Sequence, residues 1–301
     1  MDSTRPAEAL PAAAGQGADA MRVGLIGRGI QGSRSPGLHV REAAAQGFLL
    51  SYALIDLDAA PWAGQSLAQA LERAETDGLA GVNITYPFKQ EVLELLNDLS
   101  PDAERLGAVN TVTFKAGRRL GHNTDWSGFA ENLQRGLPGA SMRRVVQMGA
   151  GGAGAAVAYA LLHEGVERLT VFDLDRPRAE DLVGKMNALF GPGRAEVGDE
   201  LAGAMAAATG LVNATPVGMA PHLGSPVAES LLFPDLWVTD IVYVPIETQL
   251  LAAARSRGCQ VLNGGGMTVF QAADAFRLFT GREPDPDRMR AGFLREIEPA
   301  A

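Results

Sequence analysis

The sequence predicts an α/β fold in two domains, each built on a mostly parallel sheet. Three observations carry this reading. Strand-like apolar runs alternate with helix-like runs along most of the chain, the order of parallel βαβ units. A length of 301 residues is long for one domain. Arg144–Asp175, RVVQMGAGGAGAAVAYALLHEGVERLTVFDLD, sets strand, glycine turn, helix, strand and acid in one continuous stretch.

Composition narrows the function classes. Hydrophobic residues make up 47% and charged residues 20%, ordinary for a chain with a sizeable core. A net charge of −9 argues against a general nucleic-acid surface or an anionic membrane surface, while leaving room for a small anionic substrate held by one local cation. Cys259 is the single cysteine, so no internal disulfide forms, and a cytoplasmic setting fits. The four histidines show no ligand spacing, so no metal site is expected. No apolar run reaches the length of a membrane span. Met1–Ala20 is rich in Ala, Pro and Gly and lacks the basic and apolar regions of a signal peptide; it reads as a disordered leader or the remnant of a mis-set start codon.

The elements follow in order. Arg22–Ile26 is an apolar strand, and Pro36–Gln46 a helix whose early proline lacks only an N–H that would be unsatisfied anyway. Phe48–Leu57 reads as a strand, Gly64–Glu75 as a helix, and Leu79–Thr85 as a strand closed by the turn Tyr86-Pro87-Phe88. Lys89–Leu99 reads as an amphipathic helix, and Ala108–Phe114 with Arg118–Leu120 as a hairpin. Asp125–Leu137 is a helix leading into the glycine stretch. Beyond Asp173 come a helix at Arg178–Leu189, a short helix at Glu200–Ala207, strands at Leu211–Asn213 and Leu236–Val242, a helix at Glu247–Arg257 and a strand at Gln260–Leu262. Met267–Thr280 and Asp287–Glu296 are the last helices. They are expected to pack back on the first domain, which would then comprise 21–124 and 266–301 around a dinucleotide-binding domain at 125–265.

The glycine stretch has a chemical reading. Gly149, Gly151 and Gly154 follow the strand as G-x-G-x-x-G, and Asp173 ends the next strand. Gly149 allows the tight turn, Gly151 lets a pyrophosphate approach the backbone, and Gly154 lets helix and strand pack closely. The helix start, Gly149-Ala150-Gly151-Gly152-Ala153-Gly154, offers N–H groups and a partial positive charge to phosphates. A carboxylate at Asp173 accepts both ribose hydroxyls of NAD and repels a 2′-phosphate. The stretch is therefore expected to be a Rossmann-type site for NAD, the alternative being a Gly/Ala-rich turn that binds nothing.

The same pattern occurs earlier. Gly27, Gly29 and Gly32 follow a strand, and Asp56 ends the next one. Here Ser33-Arg34-Ser35-Pro36 intervenes before the helix, and Arg34 and Pro36 stand where the second stretch has small alanines. Close packing and free N–H groups are both compromised, so this loop is not assigned to a nucleotide. Ser33 and Ser35 are open to two readings, turn and helix-cap hydroxyls or hydrogen-bond partners of a polar ligand.

Two further clusters are candidates for chemistry. Asn83 and Thr85 share one face of a strand near its C-terminal end, where α/β sites lie, and Lys89 opens the segment beyond. Asp125, in Gly121-His-Asn-Thr-Asp125, is either the N-cap of the next helix or a catalytic acid; His122 reads as a surface or packed histidine. Asn110 sits in an apolar run where a buried amide requires partners.

The chain resembles the shikimate/quinate dehydrogenase family over nearly all its length after residue 20. The matching runs are Gly24–His39 with SRSP, GVNITYPFK, AVNTV, HNTDWSGF, GAGGAG, NATPVGM, IVYVPIETQLL and GGGMTVFQA. It is especially similar to the actinobacterial-type NAD-dependent members through VFDLD, PIET and DAFRLFTG. The resemblance implies a two-domain enzyme that oxidises a ring secondary alcohol, with hydride passing to nicotinamide. It implies substrate contacts from Ser33, Ser35, Asn83, Thr85, Asn110, Tyr243 and Gln271, and a Lys89–Asp125 pair that handles the proton as a coupled unit. It also implies cofactor contacts from Asp173, Leu174, Arg178, Thr215 and Gly266 beside the glycine loop. Where NADP-using relatives carry an Asn-Arg-Thr-like motif, this chain has Asp173-Leu-Asp175, in agreement with the charge argument for NAD. Ser35 stands where quinate-active relatives resemble Ser-x-Thr, and Gly264-Gly-Gly-Met267 also departs from them. The expected reaction is therefore oxidation of shikimate and/or quinate to the 3-dehydro acid by a monomer or homodimer. A paralogue acting on an amino-substituted analogue and a non-catalytic NAD-binding regulator are the alternatives.

Overall fold

A computed structural model describes residues 20–297. The leader expected at Met1–Ala20 therefore lies, except for Ala20, outside the described residues. The chain divides into two compact units. The first holds the described residues up to Ser100 with Val109–His122 and Phe276–Pro284; the second holds Pro101–Ala108, Asn123–Ala275 and the described residues from Asp285.

The first unit runs β1 (Met21–Gly27), α1 (Ser35–Ala45), β2 (Leu50–Asp56), α2 (Leu67–Thr76), β3 (Gly81–Ile84) and β4 (Asp98–Leu99). After α3 (Pro101–Leu106), which groups with the second unit, come β5 (Thr111–Lys115) and β6 (Arg118–His122). Its sheet is ordered β2-β1-β3-β5-β6-β4. β1 lies parallel to β2 and β3, and β5 pairs antiparallel with β3 and β6. Ile26, Ile55, Val82 and Ile84 are buried to 1% exposure or less, as expected of parallel strands covered on both faces. α2 starts with a capping box, in which Ser66 Oγ accepts from the Gln69 N–H and Gln69 Oε1 accepts from the Ser66 N–H.

The expected helix at Lys89–Leu99 does not form. Only Glu91–Leu95 makes a 3₁₀ turn, and Asp98–Leu99 pairs with Leu120–Gly121 as β4. The cause is tertiary. The Asn97 N–H donates to the Arg119 carbonyl and Asn97 Oδ1 accepts from the Arg119 N–H, tying the segment to the sheet edge. Gly121 makes room for its apolar residues: a Cβ there would lie 2.5 Å from Leu96.

The second unit runs α4 (Asp125–Gly136), β7 (Arg144–Met148), α5 (Gly152–His163), β8 (Arg168–Phe172), α6 (Arg176–Phe190) and β9 (Ala195–Val197). It continues with α7 (Leu201–Ala206), β10 (Gly210–Asn213), β11 (Trp237–Asp240), α8 (Gln249–Ser256), β12 (Gln260–Leu262), α9 (Gly265–Thr280, of which the residues from Phe276 group with the first unit) and α10 (Pro286–Ile297). The six strands are all parallel in the order β12-β11-β10-β7-β8-β9, so strand order reverses between β7 and β10. α5 is apolar on every side and is buried throughout Ala156–Leu162. Its Tyr159 keeps one polar tie, donating to Asp102 of α3 at 2.9 Å.

The contacts divide the C-terminal segment more finely than the sequence reading, which placed all of 266–301 with the first domain. Phe276 and Phe279 lie against His39 in the first unit, with ring centroids 6.1 and 5.9 Å away. The earlier part of α9 packs in the second unit, where a Cβ on Gly128 would lie 2.6 Å from the Gln271 nitrogen. No helix among the described residues is long and apolar enough to cross a membrane.

Candidate active site

In the first unit the C-terminal ends of β1 and β3 and the start of β5 gather the polar residues singled out in the sequence. Asn83 pairs in register with Leu25 on one side and Thr111 on the other. The Ile84 N–H donates to the Asn110 carbonyl, and the Val109 N–H donates to the Lys89 carbonyl. Asn83, Thr85, Lys89 and Asn110 therefore share one end of the sheet. Asn110 is buried, with Oδ1 accepting from Thr111 Oγ1 at 3.0 Å. Thr85 begins the turn that the Phe88 N–H closes onto its carbonyl. Ser33 Oγ accepts from the Ser35 N–H, a local turn role that leaves its hydroxyl proton for other partners. His122 stays a strand residue, its carbonyl accepting from the Asn110 N–H.

The loop Gly27–Gly32 is filled by its own protein. Asp56, only 2% exposed, accepts from the N–H groups of Gly29, Ile30 and Asp58 and from Gln31 Nε2, at 3.0–3.1 Å. Burial alone would push this carboxyl up; the donors from Asp58, Gln31, Gly29 and Ile30 outweigh it and hold it below the usual carboxylate range.

The second unit holds the other candidates. Asp125 is the first residue of α4 and not its cap. Asn123 Oδ1 accepts from the N–H groups of Asp125 and Trp126 at 3.1 and 3.4 Å, while Asn123 Nδ2 donates to the Ala108 carbonyl. The cap position considered for Asp125 is taken by Thr124, the first two N–H groups of α4 are met by the Asn123 side chain, and Asp125 is 8% exposed. Gln271 lies in α9 against Gly128, and the Tyr243 ring lies 5.7 Å from Phe293.

The Gly149–Gly154 loop is built for close approach. Gly149 has φ +99°, a left-handed conformation that favours glycine. A Cβ on Gly154 would lie 2.4 Å from the Gly149 carbonyl oxygen, so only glycine lets α5 start here. A Cβ on Gly151 would meet nothing within 4 Å, so protein packing does not require this glycine. Space over Gly151 and the N–H groups opening the 12-residue helix α5 suit a phosphate ligand. Asp173 Oδ2 accepts from the Ala150 N–H at 2.7 Å and Oδ1 from the Asp175 N–H at 2.8 Å, leaving each oxygen a further lone pair. Leu174 is fully exposed beside it, and Arg178 pairs with Asp175 at 3.1 Å and lies 3.9 Å from Asp173.

Across the strand-order reversal, Thr215 Oγ1 donates to Asn213 Oδ1 at 2.7 Å and accepts from the Val217 N–H. Gly266, expected at the cofactor, is buried under α4, where a Cβ would lie 1.8 Å from Asn132 Oδ1; helix packing accounts for that glycine.

Three supporting residues escaped the sequence reading. Buried Gln147 donates from Nε2 to the carbonyls of both Gly149 and Gly154 at 2.8 Å, clamping the ends of the loop. Fully buried Asp240 accepts from Asn213 Nδ2, the Val242 N–H and Thr248 Oγ1, and burial pushes its carboxyl up to about 6 against those donors. Asn123 is the third. Their signal was a polar residue inside or just after an apolar strand, which predicts a buried network but not what it holds.

Residues 25–112 match the shikimate dehydrogenase substrate binding domain, and residues 264–291 match the shikimate 5'-dehydrogenase C-terminal domain. A shikimate dehydrogenase (NADP(+)) of Streptomyces avermitilis is 53% identical over 275 residues, covering 91% of this chain and 94% of that protein. A quinate/shikimate dehydrogenase (NAD(+)) of Corynebacterium efficiens is 51% identical, covering 92% of this chain and 98% of that one. Among solved structures, quinate dehydrogenase from Corynebacterium glutamicum in complex with NAD superposes with a TM-score of 0.89 at 49% identity, covering 91% of this chain and 99% of that one.

Proposed function

The chain belongs to the shikimate dehydrogenase family, and from that premise we propose that it is an NAD-dependent dehydrogenase of shikimate, quinate or both, working reversibly on the ring alcohol that becomes the 3-keto group. When bound, the nicotinamide supplies the hydride acceptor. The chain's own residues bind, orient and move the proton. Ser33, Ser35, Asn83, Thr85, Asn110, Tyr243 and Gln271 hold the hydroxy acid. Lys89 takes the proton of the reacting hydroxyl with Asp125 as its partner, and the reverse reaction returns it to the ketone.

The cofactor preference rests on one observation, the Asp173 carboxylate at the end of β8. It accepts from the glycine loop at Ala150 and keeps lone pairs for two ribose hydroxyls. A 2′-phosphate in the same place would bring like charges together. Relatives at similar identity are named for NADP(+) and for NAD(+), so this local charge carries the choice. The Asn83–Asn110 cluster at one sheet end supports the polyhydroxy-acid substrate, because it gathers amides and hydroxyls, the donors and acceptors that ring hydroxyls need.

An initial-rate matrix of shikimate, quinate and an amino-substituted analogue against NAD and NADP tests the reading. Turnover of shikimate or quinate, faster with NAD, is expected. Dominant turnover of the amino analogue would move the substrate, and no turnover in any cell would leave a nucleotide-binding regulator. Lys89→Ala is expected to lower turnover about 10²–10⁴-fold while NAD affinity stays nearly unchanged; unchanged turnover would remove Lys89 from the mechanism.

A further inference from the structure

We infer that Tyr52, a residue of β2 with no place in the expected substrate contacts, is a positioning residue that locks Asn83 and Asn110 into one hydrogen-bonded relay for the hydroxy-acid substrate; this rests on the reading proposed above. The Tyr52 hydroxyl donates to Asn83 Oδ1 at 2.8 Å. Asn83 Nδ2 in turn donates to Thr111 Oγ1 at 2.9 Å and to the Asn110 carbonyl at 3.3 Å, and Thr111 Oγ1 donates to Asn110 Oδ1 at 3.0 Å. The relay runs in one direction, from Tyr52 through Asn83 and Thr111 to Asn110. It joins two of the residues assigned to substrate, Asn83 and Asn110, through two that are not.

Direction matters because the ends of an amide differ. A phenol that must donate selects Asn83 Oδ1, so Asn83 Nδ2 turns to Thr111, and Thr111 must then donate onward to Asn110 Oδ1. The orientation of both side-chain amides is thus set from Tyr52. Burial pushes the Tyr52 phenol far above its ordinary range, so the donor proton is present at every working pH. The ring is held by His39, 1% exposed, at a centroid distance of 5.0 Å, and His39 is itself packed on Phe276 and Phe279. Burial pushes the His39 imidazole down to about 3, so this support is a neutral aromatic wall and not a charge. Asn83 and Thr111 are 7% and 0% exposed, so water does not replace a lost partner cheaply.

Steady-state kinetics of the full-length enzyme test the inference, with shikimate and quinate varied at saturating NAD and NAD varied at saturating acid. Tyr52→Phe keeps the ring and removes the donor; Thr111→Val breaks the relay at its second link with the strand shape kept. In each variant KM for the acid is expected to rise about tenfold or more, with KM for NAD and kcat near wild type and a melting temperature somewhat lowered by the lost buried hydrogen bond. The double variant is expected to be little worse than either single one, because both cut one relay. An unmoved acid KM in Tyr52→Phe would overturn the positioning role. A lower melting temperature and kcat with both KM values unmoved would also overturn it, leaving Tyr52 as packing only. Wild-type enzyme that turns over neither acid would overturn the proposed activity and this role with it, whereas wild-type turnover beside an unmoved variant overturns this role alone.

Discussion

Gly27–Gly32 and Gly149–Gly154 have the same glycine spacing, each after a parallel strand and each followed by a second strand that ends in an acid. They differ in what the acid does. Asp56 turns into its own loop and takes the N–H groups of Gly29 and Ile30, so the donors a phosphate would need are spent on the protein. Asp173 takes only the Ala150 N–H of its loop, and α5 opens directly at Gly152 with its remaining N–H groups forward. The helix after the first loop starts late, at Ser35, behind Arg34 and with a proline in its first turn. A glycine pattern is therefore permissive. The placement of the acid and of the helix start decides whether the loop binds an anion or closes on itself.

The contrast can be broken or sharpened by substitution, taken from the largest expected effect to the smallest. Gly154→Val puts branched carbon where a Cβ already meets the Gly149 carbonyl oxygen at 2.4 Å. It should cost about 3 kcal/mol of stability, read from denaturant midpoints, and a stable variant would show that α5 can start further from the loop. Asp56→Ala strands the amide donors of the first loop and should cost about 2 kcal/mol with no change in NAD affinity measured by calorimetry. A large loss of NAD affinity there would give the first loop a nucleotide role.

The same residue sets a pH dependence. Its folded carboxyl is held below the ordinary range, so its contribution is fully present above about pH 4 and is lost as pH falls through the folded value. Wild type should thus lose stability in acid more steeply than Asp56→Asn, and parallel acid limbs in the two would refute the assignment. Asp173→Ala should weaken NAD about tenfold, roughly 1.4 kcal/mol, and NADP less; equal losses for the two cofactors would undo the ribose assignment. Gly32→Ala should stay within about 0.5 kcal/mol in both stability and NAD affinity, because a Cβ there meets nothing within 4 Å.

Much of this contrast was legible in residues 144–175, because a dinucleotide loop is a local device whose strand, turn, helix and acid are contiguous. The substrate cluster was legible only as separate polar spots. Asn83 and Asn110 are 27 residues apart and meet through the register of β3 and β5, and Tyr52 joins them from β2. The Lys89–Leu99 reading failed for a related reason. Its apolar residues suit a helix, but Asn97 and β4 find partners in β6, and pairing across the sheet edge overrides a local stripe.

By itself, the sequence determined the α/β class, the order of nearly all the elements and the glycine loop with its acid. All of these follow from periodicity and from contacts between near neighbours in the chain. Only the tertiary structure decided that Asp56 fills the first loop, that Asn123 and not Asp125 meets the first N–H groups of α4, and that Tyr52 and Gln147 hold the residues around them. Those outcomes depend on which buried donor meets which acceptor, and a polar side chain carries its need for a partner in its chemistry but not the partner's address.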